Sequence, residues 1–132
     1  MMTKKQSFPN GFQELRVSYG KSLERFAEVL KKEKTIENRD ASIQRFEFTI
    51  ELAWKAIQKF LRGQEIVCRS PKECLDEAFK FGLVEDDPRW PQMLEDRNLT
   101  SHTYDEEIAE QVHGHFSQYL PVLQSLKEKL NQ

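Results

Sequence analysis

Eight consecutive residues, Arg97-Asn98-Leu99-Thr100-Ser101-His102-Thr103-Tyr104, gather most of the side chains in this sequence that are suited to chemistry. An arginine offers a planar fork of donors that matches a phosphate. A histidine, with an ordinary pKa of about 6.5, takes up and returns protons near neutrality. Together with an amide, hydroxyls and a phenol, this set suits a phosphodiester or a nucleotide phosphate. His102 is the natural general base, Arg97 the group that stabilises phosphate charge, and Asn98 an orienting hydrogen-bond partner. Ser101 is a supporting hydroxyl and Tyr104 a phenol open to modification. Such a set could direct a ribose 2′-hydroxyl at its adjacent phosphodiester without a metal. The alternative is an ordinary polar helix C-terminus, where Arg and His complement the negative end of the dipole.

The spacing sets a geometric condition. Arg97 and His102 are about 140° apart around an ideal helix, so an unbroken helix would aim them in different directions. Convergence requires the helix to loosen near Ser101, or two copies to meet about a two-fold axis beside that helix. No metal box competes with this site. His113 and His115 are two apart on a helix and point away from each other. A Gly-rich phosphate loop and a G-x-S-x-G elbow are both lacking.

The elements that must position these residues read as helices. A loose tail over residues 1–10 ends at Pro9-Asn10, and one domain is expected over residues 11–132. Phe12, Leu15, Tyr19, Leu23, Phe26 and Leu30 fall at the spacing of a long amphipathic helix. A second helix is expected from about residues 38–40 to Leu61, closed by Gly63, with Ile43, Phe46, Ile50, Trp54, Ile57 and Leu61 on one stripe. Phe48 and Leu52 lie off that stripe, which predicts burial on more than one side, in a central helix or in one that also packs on another copy of the chain. Ser70-Pro71-Lys72-Glu73 combines an N-cap, a proline at the first helical position and a capping-box glutamate. It opens a short helix expected to turn Leu75, Ala78, Phe79 and Phe81 inward. Asp87-Pro88 opens a fourth helix with Trp90, Met93 and Leu94 inward, leading to Arg97. Asp105 caps a fifth, running to Leu130 and kinked at Pro121. The fold class is therefore all-α: an antiparallel, up-down bundle of about five helices, three long and two short.

Composition narrows the partners. The net charge of −2 over 132 residues conceals an uneven distribution. Residues 1–39 hold nine basic against five acidic side chains, whereas residues 73–110 hold twelve acids and three bases. The motif lies inside that acidic block, which opposes non-specific RNA binding because backbone affinity needs phosphates neutralised by Lys and Arg. Glu47 and Glu51 read as a solvated face. Cys68 and Cys74 are expected as free thiols in a reducing cytosol. The first residues lack the apolar stretch of a secretory signal. No run reaches the roughly 18 apolar residues of a membrane span, so no membrane role is expected.

The sequence Arg97-Asn98-x-x-x-His102-x-Tyr104 resembles the Arg-x4-His-x-Tyr signature of HEPN-domain proteins. The match is to the branch known as nucleotidyltransferase substrate-binding proteins, whose toxin members pair with a minimal nucleotidyltransferase antitoxin. The resemblance extends to the block Ile43–Lys55, through Arg69-Ser70-Pro71, and over roughly residues 12–130. It implies a helical bundle that forms a homodimer or higher oligomer, with two motifs lining an interfacial cleft in the cytoplasm. In toxin members the matched Arg97 and His102 would be catalytic in a metal-independent endoribonuclease needing no cofactor, and Asn98 would assist. The partner would silence it by transferring AMP from ATP to Tyr104 (AMPylation). The alternative that the resemblance carries is a non-catalytic subunit that binds substrate or nucleotide for a separate nucleotidyltransferase.

Overall fold

The structure is a computed structural model and describes residues 11–132; the expected tail over residues 1–10 lies outside them. Among the described residues the chain forms α1 (Phe12–Lys31), α2 (Ile36–Gly63), α3 (Pro71–Phe81), α4 (Arg89–Leu99), a 3₁₀ turn (Thr100–His102), α5 (Glu106–His113) and α6 (Phe116–Leu130). The all-α bundle expected from the sequence is the fold observed. No helix is long and apolar enough to cross a membrane among the described residues.

The central element is α2. Its stripe Ile43, Phe46, Ile50, Ala53, Ile57 and Leu61 is buried against α1, whose Phe12, Tyr19, Leu23 and Phe26 face it, and against α6, while the expected stripe member Trp54 is only partly buried beside Ala53. Phe46 lies at the centre of this packing. Its ring centroid is 6.0 Å from Phe26, 4.8 Å from Phe116 and 5.7 Å from Tyr119. Three helices thus meet at one aromatic side chain. Tyr19 crosses the bundle as well, its hydroxyl donating to Leu123 O at 2.6 Å, and burial holds this phenol above its ordinary range.

Several boundaries differ from expectation, each for a local reason. Helix α2 begins at Ile36, earlier than expected, because Thr35 caps it by accepting from Asn38 N at 3.0 Å. Gly63 is not its cap. The left-handed residue is Glu65, at φ 65°, and Ile66 N returns to Leu61 O at 2.9 Å to close the end. The expected fifth helix is two. The chain breaks at Gly114-His115, where His115 turns towards α4, and α6 runs on through Pro121. In α3 only Cys74, Leu75 and Ala78 are buried; Phe79 and Phe81 are exposed, Phe81 edge-on to Phe60. The free thiols are also corrected. Cys68 and Cys74 form a disulfide with Cα atoms 5.1 Å apart, because the first turn of α3 lies over a loop that Gln58 ties to Cys68 O at 2.9 Å.

Helix α5 is fixed to α2 by a buried charge. Arg39 is 3% exposed and meets Glu106 at 2.7 Å, Glu110 at 3.0 Å and Asp40 at 3.0 Å. Lys34 also bonds Glu110. A buried guanidinium is tolerated only when its donors are satisfied. Three carboxylates do so here, and they hold Arg39 charged above its ordinary range. In return, Arg39 lowers the carboxyl pKa of Glu106, while Lys34 first and then Arg39 lower that of Glu110.

This packing can be tested by mutation and by acid. Phe46→Ala should cost about 3–5 kcal/mol in urea unfolding, since it empties the junction of three helices; a loss under about 1 kcal/mol would refute that central role. Carboxyls whose folded pKa is depressed stabilise the protein above their ordinary pKa, 4.5 for glutamate, and lose that contribution as pH falls through the depressed value. Melting temperature should therefore decline steeply below about pH 4.5, after a smaller fall below about pH 6.5 where the unfolded chain protonates His113, whose folded pKa is lowered by burial. Arg39→Met should lower the melting temperature at neutral pH and flatten the acid decline, and an unchanged acid slope in that variant would contradict the assignment.

Candidate functional site

Hydroxyl groups end α4. Thr100 Oγ1 donates to Arg97 O at 2.6 Å, Ser101 Oγ to Asn98 O at 3.3 Å, and Thr103 Oγ1 to Thr100 O at 3.0 Å. Each hydroxyl takes a carbonyl that a continuing α-helix would offer to a later backbone N–H. The chain tightens into the 3₁₀ turn Thr100–His102, and Asp105 then starts α5 by accepting from Glu107 N at 2.9 Å and Ile108 N at 3.3 Å. The loosening near Ser101 that convergence of the motif requires is thus present. It is built by the motif's own Thr and Ser residues.

Two helices hold the end of α4. Asp96 is buried, at 2% exposure, and its Oδ2 accepts from Tyr119 Oη at 2.5 Å and lies 2.8 Å from His115 Nδ1. Burial first, and the Asp96 bond second, raise the Tyr119 phenol above its ordinary range, so it remains a donor. The next residue, Arg97, turns to α2, where its Nε lies 2.8 Å from Glu51 Oε1. Trp54 Nε1 donates to the same oxygen at 3.3 Å, and Lys55 Nζ is 3.9 Å from Glu51 Oε2. Glu51 is therefore not the solvated residue expected from sequence. Nothing in its own segment pointed to Arg97; the only local sign was its spacing from Trp54 and Lys55 on one helix face.

The remaining motif residues face outward. Asn98, Ser101 and His102 are exposed, and Tyr104 is 83% exposed. The His102 and Tyr104 rings lie 6.1 Å apart at 67°. Arg97 and His102 share no hydrogen bond or ion pair among the described residues. The turn therefore pairs His102 with Tyr104 and Arg97 with Glu51, leaving two separate clusters. Two grooves near Trp90, lined from α3, α4 and α6 and their connections, include none of residues 97–104. His113 packs on Phe116 while His115 meets Asp96, so the two histidines diverge as expected. Burial, then repulsion from Lys34, lowers the His113 pKa and favours its neutral form. Among the described residues no three His, Cys, Asp or Glu side chains cluster as a metal site.

Comparison with known proteins gives these features a setting. The family described as nucleotidyltransferase substrate binding protein like matches residues 12–132. The chain is similar to a probable ribonuclease HepT from Haemophilus influenzae strain Rd, with 36% identity over 96 residues. The match covers 69% of this chain and 66% of that protein, so it spans just under two thirds of the relative's length. Among solved structures, a Thermus thermophilus protein is 34% identical with a TM-score of 0.81, covering 86% of this chain and 99% of its own. A second, from Haemophilus influenzae, is described as revealing the fold of a substrate binding domain of a nucleotidyltransferase. It is 28% identical with a TM-score of 0.74, covering 92% of this chain and 99% of its own. With nearly all its described residues matched, the chain belongs to the nucleotidyltransferase substrate-binding protein family, with a HEPN-like fold.

Proposed function

We propose that this protein is a HEPN-type toxin: a metal-independent endoribonuclease whose Arg97 and His102 act at a homodimer cleft. AMP transfer to Tyr104 by a separate, minimal nucleotidyltransferase neutralises it. The observation that carries this reading is the exposed 3₁₀ turn, which holds His102 beside Tyr104 and keeps Arg97 at its root. The similarity to a probable ribonuclease HepT supports the reaction class. The family's description supports a nucleotidyltransferase partner.

In the reaction, His102 accepts the proton of a ribose 2′-hydroxyl while that oxygen attacks the adjacent phosphorus. The bond to the 5′-oxygen breaks, and the departing oxygen takes a proton from an imidazolium, leaving a cyclic phosphate and a 5′-hydroxyl. Arg97 balances the charge that builds on the phosphate oxygens. Asn98 orients the substrate or the imidazole, and Ser101 supports the turn. Two copies of His102 across a two-fold axis would serve as base and acid. The face of α2 that carries Glu51 also carries Phe48, 46% exposed, and half-buried Leu52, an apolar strip suited to a second copy.

Silencing follows from the same placement. The Tyr104 oxygen attacks the α-phosphorus of ATP, pyrophosphate leaves, and the phenol gives up its proton. A phosphate and a nucleoside are then fixed within reach of His102, occupying the position of the substrate. RNA and ATP both place this exchange in the cytoplasm. A second reading is favoured by the acids flanking the turn: a non-catalytic subunit presenting a nucleotide to the nucleotidyltransferase would need less basic surface than an RNA-cleaving enzyme.

The deciding experiment is cleavage of mixed cellular RNA in EDTA by wild type, His102→Ala and Arg97→Ala. Each sample is first checked by intact mass for AMP on Tyr104. Cleavage should fall by about a hundredfold or more in His102→Ala, the usual contribution of a general base or acid. Unmodified wild-type protein that leaves the RNA intact would overturn the toxin reading in favour of the binding subunit. Incubation with the nucleotidyltransferase and ATP should add one AMP to wild type and none to Tyr104→Phe.

A further inference from the structure

The usefulness of Arg97 depends on which edge of its guanidinium is free. Glu51 Oε1 meets Nε at 2.8 Å, and no other side chain among the described residues bonds this guanidinium. The two terminal amino groups remain for a ligand. They are the edge that grips two oxygens of one phosphate. A carboxylate on that terminal edge would stand where the phosphate must go. On Nε it can stay in place while the phosphate binds.

Glu51 is itself well held. It lies on α2 one residue after Ile50, which is fully buried, and two before Ala53, also fully buried. Trp54 Nε1 donates to Oε1 at 3.3 Å, and Lys55 Nζ approaches Oε2 at 3.9 Å. Arg97 and Glu51 are each about one-third exposed, at 29% and 34%, so water alone would leave the long arginine side chain many rotamers. Lys55 offsets part of the negative charge that Glu51 brings beside a phosphate site.

We propose that Glu51 is a positioning residue for Arg97. It holds Nε so that the terminal amino groups are preset for a phosphate of RNA or nucleotide. This rests on the reading that Arg97 engages phosphate. It adds a residue on a different helix, some 46 positions away in the chain, to the motif's working set.

Glu51→Gln and Glu51→Ala test it as a pair. Both remove the same negative charge, but Gln keeps a side chain of the same length whose oxygen can stay against Nε, whereas Ala keeps none. Any difference between them therefore reads the contact at Nε rather than the charge. In steady-state cleavage of a single-stranded oligoribonucleotide, Glu51→Gln should keep kcat within about threefold of wild type, while Glu51→Ala should lose about 10- to 100-fold in kcat with a smaller change in KM. Melting temperatures of the two variants should agree, which separates positioning from general destabilisation. Equal kcat values for Gln and Ala would overturn the proposal, and so would an Ala variant faster than wild type, the mark of a carboxylate that plugs the site.

A readout without cleavage keeps the proposal testable if the ribonuclease reading fails. The Arg97 Nε–H signal in a ¹⁵N spectrum, assigned by its loss in Arg97→Ala, should be a single sharp line in wild type and Glu51→Gln. It should be broadened by exchange in Glu51→Ala. Binding of a 2′-O-methyl oligonucleotide, which cannot be cleaved, should follow the same order. Wild type that does not cleave but shows this order would remove the ribonuclease reading and leave Glu51 as positioning residue. An Nε–H signal unchanged in Glu51→Ala would remove the positioning role.

Discussion

A carboxylate buried between α4 and α6 sets the geometry of this protein's surface chemistry. Asp96 can remain in the interior only because Tyr119 donates to it and the His115 ring nitrogen lies within bonding distance. That requirement fixes the rotation of α4 about its own axis. With Asp96 turned to α6, the following residue lies about 100° further round, and it is this step that delivers Arg97 to α2. It also accounts for the break before α6: His115 leaves the helical path that α5 had begun and reaches back to Asp96. The motif's turn inherits its direction from a bond that is not itself exposed.

Helix α2 completes the frame by touching both ends of the turn. Glu51 takes Arg97 just before it, and Arg39 takes Glu106 and Glu110 just after it. The two contacts differ in kind. Arg39 is a buried charge whose loss would leave its carboxylates free to hydrate, so it locks α5 in position. Glu51 and Arg97 are partly solvated, which is compatible with the phosphate contact proposed for Arg97. Between these anchors the turn needs no packing of its own. Thr100, Ser101 and Thr103 satisfy its carbonyls, leaving His102 and Tyr104 exposed.

What could be read from the sequence was what is decided locally. Ser70 and Asp105 cap their helices through their own side chains, the α2 stripe follows from the helical period, and the loosening at Ser101 comes from adjacent hydroxyl residues. The missed features depend on partners distant in sequence. The fifth helix is expected to run unbroken to a kink at Pro121, and its break at Gly114-His115 escapes a periodicity because the bond from His115 to Asp96 cannot be seen in one. Glu51 looked solvated because its partner is on another helix. Phe79 and Phe81 looked inward because an apolar residue on a short helix carries no mark of which side the bundle occupies. The disulfide escaped notice because a six-residue separation fits no familiar spacing until α3 is laid over its preceding loop.

The acidic block around the motif is a weaker objection to a phosphate ligand than a linear charge count makes it. Electrostatic potential depends on unpaired charge near the site, and many of these acids are already engaged. Arg39 and Lys34 neutralise Glu106 and Glu110, Arg89 holds Asp87 and lowers its pKa, and Asp96 is enclosed by Tyr119 and His115. Asp105 and Glu73 spend their oxygens on backbone N–H groups at helix starts. Near Arg97 itself the one charged contact among the described residues is Glu51, which Lys55 approaches from the other side. A local charge of this kind tolerates one phosphate held by a preset arginine far better than a long RNA backbone tracked by many cations. Under the proposed function, this surface would suit recognition of a single phosphodiester at Arg97 and His102 better than extended electrostatic capture.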